Sequence, residues 1–222
     1  FDEAWHRRVT GRRPIPAEIG CYLSHIKAIE TFLRSGHTHG LFLEDDAVFA
    51  RNMRTIAEEA LQHEHDWDVL RLSTVNTDRV IPALRLNTCS WLGVNLLRSK
   101  GAAAYMLNRR AAHTFLRRLL PMRLAYDLAF DLEFFWGLRA MAVTPYPVAA
   151  DPAVPTQIQI DIPSYKYRAT RYLTVFPFRA AAETSRLLCR LVLLGRVLAS
   201  SRVNARRTTS PRTTRPRKCH NP

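Results

Sequence analysis

The sequence predicts an α/β fold in one main domain, with a mainly parallel sheet flanked by helices. Helical and strand-like patterns alternate along residues 18–72, which is the rhythm of that fold class. The run Leu41-Phe42-Leu43 has no polar alternation, which is typical of a strand buried on both faces of a parallel sheet. With 222 residues, 47% of them apolar, the chain is long enough for one domain with a real core, and a wholly disordered chain is excluded.

The first half of the chain alternates helices and strands. From Glu18 apolar residues recur at steps of three and four, which predicts an amphipathic helix ending near Gly36. The short strand around Phe42 follows. A second helix over residues 52–63 and a strand over 69–72 complete the alternation.

The second half is less regular. Residues 80–107 are strand-like, with Gly93 and Gly101 as breakers, and helices are predicted over 111–120 and 127–138. Closely spaced prolines make residues 146–165 an extended, loop-rich segment. We therefore divide the chain into a domain over 1–178, a basic helix over 179–199 and a disordered tail over 200–222, where Arg, Thr, Ser and Pro leave little to bury.

Most of the net charge lies near the C-terminus. The chain has 33 Lys and Arg against 19 Asp and Glu, but residues 179–222 alone hold eleven basic residues and one acid. A DNA-binding domain carries its charge on the folded face, and RNA-binding proteins usually place aromatic residues among their basic ones. No aromatic residue follows Phe178, so we expect no nucleic-acid partner.

The basic helix has Arg179, Glu183, Arg186 and Arg190 close to one line on a helical wheel, with apolar residues opposite. This pattern, followed by an Arg-rich extension, predicts binding to an anionic membrane surface. The alternative is a last helix that packs on the domain and is followed by a plain disordered tail. There is no run of eighteen apolar residues that would span a bilayer.

Three adjacent carboxylates, Glu44, Asp45 and Asp46, directly follow the predicted strand. Ligands bind at the carboxyl ends of strands in open parallel sheets, and three neighbouring acids repel one another unless a cation neutralises them. Mn²⁺ or Mg²⁺ is the natural candidate, shared by Glu44 and Asp46 on one side of an extended segment. The alternative is a solvated acidic turn that caps the next helix.

Two sequence blocks stand out: residues 18–25 read Glu-Ile-Gly-Cys-Tyr-Leu-Ser-His, and residues 43–47 read Leu-Glu-Asp-Asp-Ala. Together they resemble glycosyltransferase family 25, which contains bacterial enzymes of lipopolysaccharide and lipooligosaccharide synthesis and relatives that galactosylate collagen hydroxylysine. Ala17 stands where the family has Gly. The similarity continues through residues 101–112, with Asn108 where Ser is usual, and through Tyr126-Asp127 and Asp131. It reaches residue 165 and is less specific in these later blocks.

This resemblance implies a GT-A-like (Rossmann-like) fold and inverting, metal-dependent transfer of a hexose. The donor would be UDP-galactose or UDP-glucose, and the acceptor a glycolipid or saccharide of lipopolysaccharide or a related surface glycan. Asp46 and Glu44 would hold Mn²⁺ or Mg²⁺, and Glu44, Asp45, Ser24 and His25 would bind the donor. For His25 the alternative is a buried hydrogen-bonding group.

Inverting transfer also needs a general base for the acceptor hydroxyl. Asp127 and Asp131 are four residues apart, hence on one face of the predicted helix, and are the candidates. The alternative for Asp127 is an N-cap of that helix.

Members of the family normally begin with a strand and a helix ahead of residue 18, including an Asn-Leu-x-x-Arg-x-x-Arg-like segment that helps to bind the nucleotide. We expect this chain to lack that unit. The alternative function is therefore a catalytically inactive remnant that binds a saccharide or a membrane. In either case we expect a cytoplasmic protein, peripheral on the inner face of the cell membrane.

Overall fold

The computed structural model describes residues 1–75, 79–87, 89–154 and 171–207, and for residues 171, 172 and 202–207 it describes the backbone only. The helices are α1 (Glu3–Thr10), α2 (Pro16–Arg34), α3 (Met53–Leu61), α4 (Arg109–Arg118), α5 (Tyr126–Phe130) and α6 (Arg171–Arg207), with a 3₁₀ helix at Glu133–Trp136. The strands are β1 (His39–Leu43), β2 (Ala47–Phe49), β3 (Val69–Arg71), β4 (Val80–Arg85), β5 (Trp91–Asn95), β6 (Ala104–Asn108), β7 (Ala140–Thr144) and β8 (Val148–Ala150).

Six of these strands form one mixed sheet in the order β1-β6-β3-β7-β5-β4. The predicted α/β class is confirmed, but the prediction of a mainly parallel sheet is wrong. Within the described sheet only β3 and β7 run parallel, and the other neighbouring strands are antiparallel. β2 and β8 pair separately as a small antiparallel ribbon.

The strand around Phe42 accounts for this difference. β1 lies at an edge of the sheet, where Phe42 is buried while Leu41 and Leu43 are exposed. A run of three apolar residues is too short to distinguish a strand buried on both faces from an edge strand with one buried side chain.

Helices cover both faces of the sheet. The alternation along β6 shows this, because Tyr105 and Leu107 pack with α2, α4 and α5, whereas Ala104 and Met106 pack with α3 and α6. Phe42 of β1 packs with the α2 residues, so the acidic segment that follows β1 lies near α2.

α1 was not predicted from the sequence, although both of its ends carry recognisable signals. The Asp2 carboxylate accepts a hydrogen bond from the Trp5 amide at 3.0 Å, and Gly11 closes the helix with φ 67°. Eight residues are too few for the apolar periodicity to stand out.

The predicted helix over residues 127–138 is interrupted. α5 ends at Phe130, a 3₁₀ turn follows, and Gly137 closes it with φ 66°. The interruption places Asp131 and Glu133 in the protein interior, where both are almost completely buried.

Asp131 and Glu133 form an ion cluster with three arginines from distant parts of the chain. Asp131 pairs with Arg71 of β3 at 3.0 Å and with Arg186 and Arg190 of α6 at 3.0 and 2.9 Å. Glu133 pairs with Arg190 at 2.7 Å. Of the predicted arginine line, Arg186 and Arg190 thus face the domain, whereas Arg179 is exposed. A basic face that binds a membrane would require the two buried arginines to point outward.

We expect Asp131→Asn to lower the free energy of unfolding by about 3–5 kcal/mol, because three buried guanidinium groups would then face a neutral amide. Urea denaturation measures this. Glu58→Gln, which breaks the exposed Arg54–Glu58 pair of α3, is the control and should cause no measurable change. Equal effects of the two substitutions would show that the cluster does not hold α6 in place.

Candidate functional site

The start of α2 determines which of its side chains face the cleft beside β1. Glu18 is buried, accepts a hydrogen bond from the Ile15 amide at 3.1 Å and pairs with Arg12, whose Nη1 lies 2.6 Å from Oε2. The first residue of the family-like block therefore has a structural role. With the helix anchored there, Cys21 and His25 lie one turn apart on the side facing β1.

The cleft between α2 and the β1 region encloses about 1080 Å³. It brings together the predicted donor- and metal-binding residues Ser24, His25, Glu44, Asp45 and Asp46. Its other lining residues are Cys21, Lys27, Ala28, Thr31, Phe32, His37, His39, Gly40, Leu41, Phe42 and Leu43.

His25 is held by hydrogen bonds at both ring nitrogens. Nδ1 lies 2.9 Å from the Tyr105 hydroxyl and Nε2 lies 3.2 Å from Glu44 Oε1. The ring stacks on Tyr126, with centroids 3.9 Å apart and planes at 2°. His25 is thus a buried hydrogen-bonding group and also lines the cleft.

The two tyrosines extend this chain into the core, because their hydroxyls lie 2.8 Å apart. Burial raises the pKa of both Tyr105 and Tyr126 far above the ordinary range, so both remain protonated. Tyr126, Tyr105, His25 and Glu44 therefore form a continuous hydrogen-bonded chain from the interior to the cleft, which fixes the orientation of the imidazole.

The acidic segment is a turn and not an extended stretch. The Glu44 amide donates to the Ala103 carbonyl at 2.8 Å, and the Ala47 amide donates back to the Glu44 carbonyl at 3.3 Å. The next helix, α3, has Asn52 at its N-cap, so the alternative in which the acids cap that helix is wrong.

A fourth carboxylate, Asp151, joins this turn. Its amide donates to the Asp46 carbonyl at 2.8 Å, next to the pairing of β2 with β8. No sequence signal marks Asp151, because the pairing that brings it here joins strands a hundred residues apart.

The Asp46 carboxyl is electrostatically strained. Burial, and then the charges of Glu44, Asp45 and Asp151, raise its pKa above the ordinary range. Its Oδ1 atom is buried and has no hydrogen-bond partner among the residues that the structure describes. A buried carboxylate oxygen surrounded by further carboxylates suits a divalent cation with oxygen preference.

The two residues predicted as candidates for the general base, Asp127 and Asp131, lie in different surroundings. Asp127, in the first turn of α5, accepts hydrogen bonds from the Leu128 amide at 2.8 Å and the Gly101 amide at 3.4 Å, and burial raises its pKa. The N-cap of α5 is Ala125, so the N-cap interpretation of Asp127 is wrong. Asp131 faces the arginine cluster. Neither residue lines the cleft, but the segment 101–103 contacts both Asp127 and Glu44.

Fold and site together define an α/β protein with a cleft that carries a cluster of carboxylates, Glu44, Asp45 and Asp46. The chain belongs to glycosyltransferase family 25, since the family model described as "Glycosyltransferase family 25 (LPS biosynthesis protein)" matches residues 1–130, more than half of its length.

Two curated relatives are similar to this chain. The human "Inactive glycosyltransferase 25 family member 3" is 27% identical over 162 residues, which cover 64% of this chain and 26% of the relative. The rat "Probable inactive glycosyltransferase 25 family member 3" is 26% identical over 161 residues, which cover 64% of this chain and 27% of the relative. The alignment thus spans about a quarter of each relative.

We expect Asp46→Asn to stabilise the metal-free protein at neutral pH. The folded-state pKa of Asp46 is raised, so its ionisation costs the folded state free energy as the pH rises through that pKa. The gain should shrink as the pH falls toward about 4, near the pKa of an unfolded Asp. Urea denaturation in EDTA measures this, and Glu30→Gln on α2, outside the acidic turn, is the control. A variant no more stable than wild type at neutral pH would contradict the assignment of strain to Asp46.

Proposed function

We propose that this chain is a metal-dependent hexosyltransferase that transfers galactose from UDP-galactose to a lipopolysaccharide or related surface-glycan acceptor. Family membership supports glycosyl transfer. The observation that carries metal dependence is the acidic turn, with the buried Asp46 oxygen that lacks a partner among the described residues. Galactose and the acceptor class come from the family resemblance.

The carboxylates of the turn support the proposal of a divalent cation. Asp46 and Glu44 would hold Mn²⁺ or Mg²⁺, which would act as a Lewis acid for the departing UDP. Asp45 and Ser24 are exposed in the cleft, where their side chains are accessible to the hydroxyl groups of a donor. His25 supports Glu44 through the hydrogen bond at its Nε2.

Asp127 is the carboxylate that we assign to the general base of inverting transfer. Its raised pKa brings it closer to the operating pH of an enzyme, which favours accepting a proton. Asp131 is fully buried among arginines, and we assign it the positioning of the α5 segment that contains Asp127.

A second candidate function is a catalytically inactive module that binds a saccharide. Both relatives carry the word inactive in their names, and this favours the second candidate. The two candidates differ in whether donor is consumed.

Release of UDP from UDP-galactose and UDP-glucose, with Mn²⁺ and with EDTA, separates these candidates without a known acceptor, since transferases often hydrolyse their donor slowly. We expect metal-dependent release by the wild-type chain, none detectable with Asp46→Ala, and a decrease of about 10²- to 10⁴-fold with Asp127→Asn. Glu30→Gln is the matched control and should keep the wild-type rate. If the wild-type chain releases no UDP and calorimetry detects no UDP binding, the inactive module is favoured.

The outer surface of α6 supports a peripheral position on a membrane. Arg186 and Arg190 face the domain, and large apolar side chains of the same helix are exposed. We name these the outer stripe: Leu173, Phe176, Leu187, Leu188, Leu191 and Val192. Residues 196–222 contain eight Arg or Lys and no acid, which matches an anionic surface.

None of the described helices is long and apolar enough to cross a bilayer. We propose that the outer stripe lies on the inner face of the cell membrane.

We expect Leu188→Glu with Leu191→Glu to weaken binding to anionic phospholipid vesicles at least tenfold, since each leucine contributes on the order of 1 kcal/mol when it enters lipid. Cosedimentation with vesicles measures this. Leu97→Glu, at an exposed leucine outside α6, is the control and should bind as wild type. Equal binding by the double variant would exclude the outer stripe as the contact.

A further inference from the structure

A second set of ligand atoms lies in the cleft beside the acidic turn. Cys21 Sγ, a ring nitrogen of His25 and a carboxylate oxygen of Glu44 all lie within 4.8 Å of one another. Among the residues that the structure describes, this is the only group of three such side chains that could share an ion. We name it the Cys-His-Glu triad.

We propose that the Cys-His-Glu triad binds one thiophilic divalent cation of the Zn²⁺ class. A thiolate, an imidazole and a carboxylate are the ligand types that Zn²⁺ takes, whereas Mn²⁺ and Mg²⁺ prefer oxygen ligands alone. Three protein ligands leave a fourth position open toward the cleft, as in catalytic zinc sites. The proposal rests on this geometry and not on transferase activity.

The observed distances suit a tetrahedral ion. His25 Nε2 and Glu44 Oε1 are 3.2 Å apart. Two ligand atoms at about 2.0–2.1 Å from a tetrahedral zinc are separated by roughly 3.3–3.4 Å. These two side chains are therefore already placed for a common ion. Cys21 Sγ lies within 4.8 Å of both, and a tetrahedral zinc with a Zn–S distance of about 2.3 Å would hold it roughly 3.6 Å from each.

The surroundings of His25 supply the support that metal-binding histidines usually have. Its other nitrogen, Nδ1, faces the Tyr105 hydroxyl at 2.9 Å, and its ring is stacked on Tyr126. A hydrogen bond from Nδ1 to Tyr105 leaves the lone pair of Nε2 free for the ion and holds the ring in place. Cys21 and His25 are also one turn apart on α2, a spacing that presents two ligands on one helix face.

Ion binding displaces one proton. Burial, and then the carboxylate of Glu44, raise the pKa of Cys21 to about 11, so the thiol is protonated at neutral pH. The Sγ–H bond breaks, the Zn–S bond forms and the thiol proton passes to solvent. Binding through Nε2 places the imidazole proton on Nδ1, which faces the Tyr105 hydroxyl.

The test uses the full chain after EDTA treatment, titrated with Zn²⁺ in a calorimeter and with Co²⁺ in a spectrophotometer. We expect one equivalent of Zn²⁺ bound, with about one proton released per ion in buffers of different ionisation enthalpy. With Co²⁺ we expect a thiolate-to-metal charge-transfer band and the intense visible bands of tetrahedral coordination. A Co²⁺ complex without the charge-transfer band would overturn the proposal.

Variants separate the triad from other binding. Cys21→Ser should abolish the charge-transfer band and lower Zn²⁺ affinity at least tenfold, and Glu44→Gln should keep the band with weaker affinity. Cys189→Ser, at an exposed free thiol of α6, is the matched control and should behave as wild type. Circular dichroism checks the fold of each variant. A band that persists in Cys21→Ser or disappears in Cys189→Ser would overturn the proposal.

Asp46→Ala distinguishes this site from the proposed Mn²⁺ site. It removes a carboxylate of the acidic turn but leaves the triad intact, so it should bind Zn²⁺ as wild type while losing donor turnover. Loss of Zn²⁺ binding in this variant would place the ion at the acidic turn and overturn the triad assignment. Zn²⁺ binding by a chain without transferase activity would leave the triad standing.

Discussion

The buried carboxylate of Asp131 is the constraint on which the rest of the architecture depends. A buried carboxylate destabilises the fold unless positively charged groups remain paired with it. For Asp131 these groups are Arg71 of β3 and Arg186 and Arg190 of α6. One buried carboxylate therefore links the sheet, the segment after α5 and the last helix. The same arrangement turns Arg186 and Arg190 inward and leaves Leu187, Leu188 and Leu191 exposed, so the ion cluster helps to determine which face of α6 packs on the domain.

The cleft depends on that framework through a short path. Arg71 holds Asp131 and also donates to the Gly101 carbonyl at 3.2 Å, at the start of the segment that contacts Asp127 and Glu44. On the other side, the Tyr105 and Tyr126 hydroxyls orient His25 against Glu44. The acidic turn is thus supported by side chains from the core, although its own carboxylates repel one another. Support of this kind holds the like charges of the turn close together.

The sequence predicted the parts of this structure that depend on local pattern. The helix near Glu18, the acidic segment and the family all follow from short stretches of sequence. The direction of the strands was not predicted correctly. The pairing of β1 with β6 is a long-range property, and the short apolar run around Phe42 does not encode it. The role of Asp131 was also out of reach, since its partners Arg71 and Arg186 lie about sixty residues away on either side. A helical wheel shows which residues share a face, but not which face turns toward the core.

Glu44 affects both the stability of the acidic turn and the proposed binding of a cation. It belongs to the acidic turn, where it adds to the strain on Asp46, and it accepts the hydrogen bond of His25 beside Cys21. A cation bound by either ligand set would remove repulsion that the metal-free fold must bear, so binding would also raise stability by mass action. This coupling does not depend on catalysis. A transferase would use the bound cation to stabilise a leaving group, whereas an inactive module would use the same cation to hold its ligand, and in both cases the carboxylates would be retained for binding at the expense of the metal-free fold.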